Sequence, residues 1–325
     1  MTDTCIWTEK YCPTNLNDIV SHKLNIQILD KLIEKKNIPH IIFHGRSGVG
    51  KTSTVVSFTR KIYENKFSSS ILELNASDER GIEVIREKIK TFASTKNLFN
   101  KNIKFIILDE ADLMTNDAQL ALKKIIDIYI HNCRFCILCN NINKIIPELQ
   151  SRCMKIRFKP IKYEDASKKL TFICNKENIN ITKSALDIII NHGEHDLRKM
   201  INLLQSFYLL NKTKIIKSTA YKFLNIMNDK EQDSFIEIIK TQPYISIYDK
   251  IKDYIKIYNY SITDIINYIF KMITKIYTVN EKTKVILTNA IIELADLEYK
   301  ISTGCDYHIA SGYIVSILWD IREII

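Results

Sequence analysis

Gly45-Arg46-Ser47-Gly48-Val49-Gly50-Lys51-Thr52 decides how the rest of this chain is read. It fits the pattern G-x-x-x-x-G-K-[ST], in which glycines let backbone N–H groups close around phosphate oxygens. Such a loop also needs a lysine for the terminal phosphates, a hydroxyl for Mg²⁺, and a helix N-terminus aimed at the anion. Lys51 and Thr52 supply the first two, with Ser53 directly behind them. The flanks have the right character. Ile41-Ile42-Phe43 predicts a buried strand, and Thr52 to Tyr63, lacking Gly and Pro, predicts a helix. Strand, loop and helix together predict a nucleotide site over residues 45–53.

Outward from the loop, apolar runs alternate with helical periodicity. An amphipathic helix is expected from Lys23 to Glu34, ahead of the loop. Ile71-Leu72-Glu73-Leu74 reads as a second strand, after which Ile82, Ile85, Ile89 and Phe92 recur at helical spacing. Phe105-Ile106-Ile107-Leu108 is a continuous apolar run suited to the middle of a parallel sheet. Residues 115–130 predict a helix, Arg134 to Cys139 a fourth strand, and Met154 to Phe158 a fifth. Strands separated by helices mean a doubly wound α/β domain. No strand is expected after Pro160. Residues 163–176, 182–192 and 196–210 read as three short helices, and a larger helical domain of four or five helices follows from about residue 228.

Asp109 and Glu110 put two carboxylates at the C-terminal end of the third strand, where α/β sheets place ligands. Beside a phosphate loop, Asp109 is the expected partner of Thr52 in holding Mg²⁺. Glu110 is then placed to polarise a water for attack on the γ-phosphate. Asn140 ends the fourth strand and can orient that water, although by itself it reads equally as a turn residue. Arg152, within Ser151-Arg152-Cys153, can cap its own domain or project into a neighbour's nucleotide. Arg198, within Asp196-Leu197-Arg198-Lys199, can fold back to the phosphates. Surface salt bridging is the alternative for both arginines.

A chain of 325 residues allows two or three domains. Its net charge of +10 favours an acidic partner, nucleic acid first, although scattered surface lysine gives the same sum. Nothing near the N-terminus reads as a signal peptide, and no apolar run approaches membrane-spanning length. An intracellular protein is expected, with its 8 cysteines as thiols. Cys133-x-x-Cys136-x-x-Cys139 imitates a metal cluster, but it lies on an expected strand. Residues three apart there point to opposite faces, and Cys133 and Cys139 are roughly 20 Å apart at ~3.3 Å per residue. His192 and His195 are interrupted by Gly193 and precede a helix cap, so no metal is expected there either.

Together these stretches resemble the small subunits of replication factor C, the sliding-clamp loader, within the AAA+ ATPases. The resemblance runs in family order through Trp7 to Pro13, residues 45–52, Leu74 to Ile82, and Leu108 to Asp112. It continues through Cys139-Asn140, Lys144 to Cys153, and Asp196 to Lys199. Val20-Ser21-His22 and Arg134-Phe135-Cys136 look most like the ATPase-competent type of small subunit. The residues after 225 match only in length and helical character. Two departures stand out. Cys12 replaces the usual arginine before Pro13, and Arg46-Ser47 replaces the usual Pro-Pro or similar pair; neither removes a phosphate ligand.

The resemblance implies an AAA+ P-loop ATPase domain over 1–160, a three-helix lid over 161–225 and an all-α collar over 226–325. It implies that Thr8 and Val20 touch the adenine, that Asn140 and Arg198 are the two sensors, and that Arg152 is a finger acting in trans. It further implies DNA contacts at Arg80, Arg86 and Lys90, and a clamp-facing helix after Thr115. The implied protein binds ATP and Mg²⁺ and is one subunit of a hetero-pentameric loader. It opens a PCNA-like sliding clamp and loads it on primer–template DNA, in the nucleus or in a viral factory, with no membrane partner. The rivals are a non-hydrolysing scaffold subunit that donates Arg152, and a different AAA+ remodeller.

Overall fold

Five strands form one parallel sheet: its three inner strands are near-continuous buried apolar runs, as cover on both faces allows, while the edge strand over 154–157 alternates buried and exposed residues. The strands are β1 (Ile41–His44), β2 (Ile71–Asn75), β3 (Lys104–Asp109), β4 (Cys133–Cys139) and β5 (Met154–Arg157), in the order β2–β3–β4–β1–β5. The computed structural model describes residues 5–63, 70–76, 82–94, 103–210, 214–258, 260–277 and 283–325. In register, His44 pairs with Cys139 and Arg157, and Asn75 with Asp109. The C-terminal ends of these strands therefore lie along one edge of the sheet. β1 sits between β4 and β5, so the chain leaves it at a point where strand order reverses, the position at which such sheets bind ligands.

Among the described residues six helices accompany this sheet: α1 (Trp7–Lys10), α2 (Lys23–Glu34), α3 (Lys51–Tyr63), α4 (Ile82–Ser94), α5 (Asn116–Ile128) and α6 (Pro147–Gln150). Thr115 caps α5 by accepting from the Ala118 amide at 3.4 Å, and Pro147 starts α6 where its missing N–H costs nothing. The three β4 cysteines are buried within the sheet. Cys133 and Cys139 share one core face with Phe135 and Ile137, as the period of two requires. Burial pushes the thiols of Cys133 and Cys139 up, to about 11 and about 12. Among the described residues no cluster of metal-ligating side chains occurs, and no helix is long and apolar enough to cross a membrane.

Three further helices complete the first compact unit, Met1–Ile215: α7 (Tyr163–Lys176), α8 (Lys183–His192) and α9 (Leu197–Leu210). The expectation of no strand after Pro160 is corrected here. Asn180–Ile181 (β6) and Lys214–Ile215 (β7) form a parallel pair joining the start of α8 to the end of the unit. Two residues are too few to display a period, so the pattern carried no trace of them.

The second unit, Ile216–Ile325, is helical among its described residues: α10 (Lys217–Leu224), α11 (Asp229–Thr241), α12 (Tyr244–Tyr258), α13 (Ile262–Tyr277), α14 (Lys284–Ser302) and α15 (Tyr307–Ile321). Phe235, Ile251, Ile269, Leu294 and Ile314 lie in its own apolar core. Asn228 and Glu231 close a reciprocal capping box on α11, and the Tyr260 hydroxyl donates to Glu231 at 2.7 Å.

Candidate active site

The loop between β1 and α3 takes its path from two glycines. Gly45 has φ +153°, and a Cβ on it would lie 2.4 Å from the Phe158 carbonyl oxygen. Gly48 has φ +65°, and its Cβ would come within 1.7 Å of an Asp196 carboxylate oxygen. At Gly45 the obstacle is fixed backbone, whereas at Gly48 the positive φ strains a residue with a side chain and a Cβ would displace the Asp196 carboxylate.

Lys51 opens α3 and is 7 % exposed. Its Nζ donates to the carbonyls of Gly45 at 2.7 Å and Arg46 at 2.8 Å, and to Asn140 Oδ1 at 2.8 Å. Three acceptors meet the three donors of an ammonium group. Burial lowers its pKa, and the charge of Asp109 opposes that shift. The hydroxyl of Thr52, the next residue, donates to Asp109 Oδ2 at 3.0 Å, while Asp109 Oδ1 accepts from the Glu110 amide at 2.8 Å. A hydroxyl and a carboxylate fixed together are the hard oxygen set that suits Mg²⁺. Glu110 itself has φ +54°, a left-handed conformation in which a side-chain-bearing residue is strained.

Asn140 is held from its backbone side. Its amide and that of Asn141 donate to the two carboxylate oxygens of Asp112, at 3.3 Å each. Asn140 thus joins the end of β4 to the buried cation. On the other side of the loop, Asp196 caps α9 by accepting from the Lys199 amide at 3.0 Å. Its second oxygen accepts from Ser47 Oγ at 3.1 Å, and the Leu197 amide donates to the Gly48 carbonyl at 3.1 Å. The N-terminus of α9 is therefore tied to the phosphate loop, and Arg198 comes with it.

Beside the loop lies a cavity of about 490 Å³, lined by Gly48 to Ser53 and by Thr8, Val20, Lys169 and Arg198. Its far wall is the N-terminal segment. The Trp7 amide donates to Gln205 Oε1 at 3.0 Å, its ring packs against Tyr208, and Lys10 pairs with Glu177 at 2.9 Å. The segment is thereby anchored on α7 and α9. His22, in a left-handed conformation with its Nε2 3.2 Å from the Val49 carbonyl, supports the loop from below; burial lowers its pKa. Cys12 also lines the cavity, with its Sγ 3.7 Å from Ser53 Oγ.

Of the expected site residues, Gly45 and Arg46 meet Lys51 through their carbonyls, Ser47 meets Asp196, and Thr8, Val20 and Arg198 line the cavity. Arg152 lies just after α6 and pairs with Asp127 of α5. Lys90 is exposed on α4. Arg80 lies outside the described residues, and of Arg86 only the backbone, within α4, is described. Sequence reasoning missed Lys169, whose amine burial partly strips of water, and the link from Asp196 to the loop. It also missed Asp112 as the brace of Asn140. Lys169 carried no signal among so many lysines; Asp196 was recognisable only as a cap.

Two family models match. Residues 41–161 fit the ATPase family associated with various cellular activities (AAA), and residues 227–316 fit the replication factor C C-terminal domain. The chain is 39% identical to the probable replication factor C subunit 5 of Dictyostelium discoideum, over 95% of this chain and 89% of that one. It is 38% identical to replication factor C subunit 3 of Schizosaccharomyces pombe, over 97% and 91%. With the replication factor C small subunit of Methanococcus vannielii it shares 39% identity, over 94% and 93%. Among solved structures, the Thermotoga maritima RuvB Holliday junction branch migration motor shares the fold, with a TM-score of 0.54 at 13% identity, over 74% of this chain and 85% of that one.

Proposed function

The chain belongs to the replication factor C small-subunit family of AAA ATPases, and from that premise we propose that it hydrolyses ATP as one subunit of a sliding-clamp loader. One observation carries the reading. Lys51, Asn140, Thr52 and Asp109 are joined by hydrogen bonds at a cavity to which α9 brings Arg198. In this reading the loop amides and Lys51 bind the phosphates, and Thr8 and Val20 border the base. Thr52 and Asp109 hold Mg²⁺, which when bound neutralises charge developing on the β- and γ-phosphate oxygens. Glu110 accepts the proton of the attacking water, which Asn140 orients, and Arg198 reports the nucleotide to the lid. Arg152 serves the ATP of the adjacent subunit.

Residues 1–160 act as the ATPase domain, 161–225 as the lid and 226–325 as the collar. The partners are the other loader subunits, five chains in all, a PCNA-like clamp, and primer–template DNA gripped through its backbone by Arg80, Arg86 and Lys90. The place of action is the nucleus. ATP hydrolysis by the assembled loader is expected to rise when clamp and primer–template DNA are supplied together. Charge reversal at Arg80, Arg86 and Lys90 should flatten the salt dependence of DNA binding, whatever the sequence. The logarithmic slope should fall by about one for each phosphate no longer neutralised. Hydrolysis indifferent to clamp and DNA would overturn the loader reading, and an unchanged slope would move the DNA path elsewhere.

A further inference from the structure

Arg152 is held by a side chain that none of the foregoing chemistry uses. Its Nε donates to Asp127 Oδ1 at 2.5 Å and its Nη2 to Asp127 Oδ2 at 3.1 Å, while Nη1 donates to the Glu148 carbonyl at 3.3 Å. Asp127 thus takes the side edge of the guanidinium, formed by Nε and Nη2. The end edge, formed by the outer hydrogens of Nη1 and Nη2, is not engaged by the carboxylate. That end edge is a second planar fork of the kind that matches a phosphoryl group bidentately. We propose that Asp127 is the positioning residue of the Arg152 finger, holding one edge of the guanidinium so that the other is presented to the γ-phosphoryl group on the adjacent subunit. The inference rests on the trans reading of Arg152 given above.

Three features favour positioning over a merely structural ion pair. Asp127 is the penultimate residue of α5, where the negative end of the helix dipole disfavours a carboxylate, so local helix stability does not explain it. Both partners are substantially exposed, with side-chain exposures of 34% for Arg152 and 42% for Asp127, and exposed pairs add little to stability. Arginine is also long and rich in rotamers, so an unheld finger spends its time in many orientations. A carboxylate on its side edge removes that freedom before the neighbour arrives, and Lys123, 3.8 Å from Asp127 Oδ2, helps to hold the carboxylate in turn.

The test uses the complete loader, with the adjacent subunit's site as its only hydrolytic one. Asp127→Ala is expected to lower turnover there on the order of tenfold, within the hundredfold that an ångström of misplacement can cost. KM for ATP should not change, because the neighbour's own loop still binds the nucleotide. Asp127→Glu should keep most of the turnover, and Asp127→Ala should add nothing in an Arg152→Ala background. Unchanged turnover in Asp127→Ala overturns the proposal, and faster turnover shows the carboxylate to be a restraint on the finger instead. An equal loss in the Arg152→Ala background makes Asp127 a structural residue. If Arg152→Ala alone leaves the neighbour's turnover intact, the finger reading itself fails and the positioning role falls with it.

Discussion

Arg152→Ala is expected to reduce hydrolysis at the adjacent subunit's site on the order of 10³-fold while leaving this chain's own site working. A guanidinium aimed at the transferring γ-phosphoryl group stabilises charge that grows only in the transition state, so its loss appears in turnover more than in nucleotide affinity. Within its own chain Arg152 is spoken for by Asp127 and the Glu148 carbonyl, while the local site is assembled from Lys51, Thr52, Asp109 and Asn140. Loaders rebuilt with one competent phosphate loop at a time separate the two possibilities. Turnover lost in the loader that relies on Lys51 of this same chain would mean that the arginine acts in cis.

Lys51→Ala should abolish useful nucleotide binding at this chain's site. Truncating one partner of a buried, hydrogen-bonded charge pair costs about 2–5 kcal/mol, which corresponds to a roughly 30- to 4,000-fold loss of affinity. Removing the amine also strands the carbonyls of Gly45 and Arg46 and the side chain of Asn140, its three acceptors. Titration of a fluorescent ATP analogue against the isolated chain reads the change directly. Equal affinity in the two proteins would refute the phosphate-loop assignment.

What could be read from the sequence was local. The phosphate loop declares itself through glycines at fixed offsets, and β3 through an unbroken apolar run that ends in two acids. Such signals need no knowledge of the remainder of the chain. Asn140 was recognisable as the end of β4, but its bond to Lys51 spans 89 positions, and the Ser47–Asp196 bond spans 149. No periodicity encodes partners that distant. Arg152 was legible as a residue of interest, yet Asp127 was not, because an acid near a helix end looks like ordinary surface until its neighbour is known. The left-handed backbone of Glu110 is equally silent, since nothing in its side chain requires that conformation. The β6–β7 pair lay below the length at which alternation can show. Lys169, one cation among 47 Lys and Arg residues, was invisible for want of contrast.

Glu110→Gln tests whether ATP bound at this chain is hydrolysed to drive a loading cycle. The substitution keeps the size of the side chain and leaves Asp109, Thr52 and Lys51 in place, so binding should persist while the proton acceptor is lost. The decisive measurement is the time course of phosphate release at this chain's site, followed alongside release of the closed clamp onto primer–template DNA. The Glu110→Gln loader is expected to bind ATP, open the clamp and grip the DNA with near-normal affinity. It should then stall, with phosphate release slowed on the order of 10²-fold or more, as loss of a general base entails. Phosphate release and clamp release at the unaltered rate would contradict this expectation.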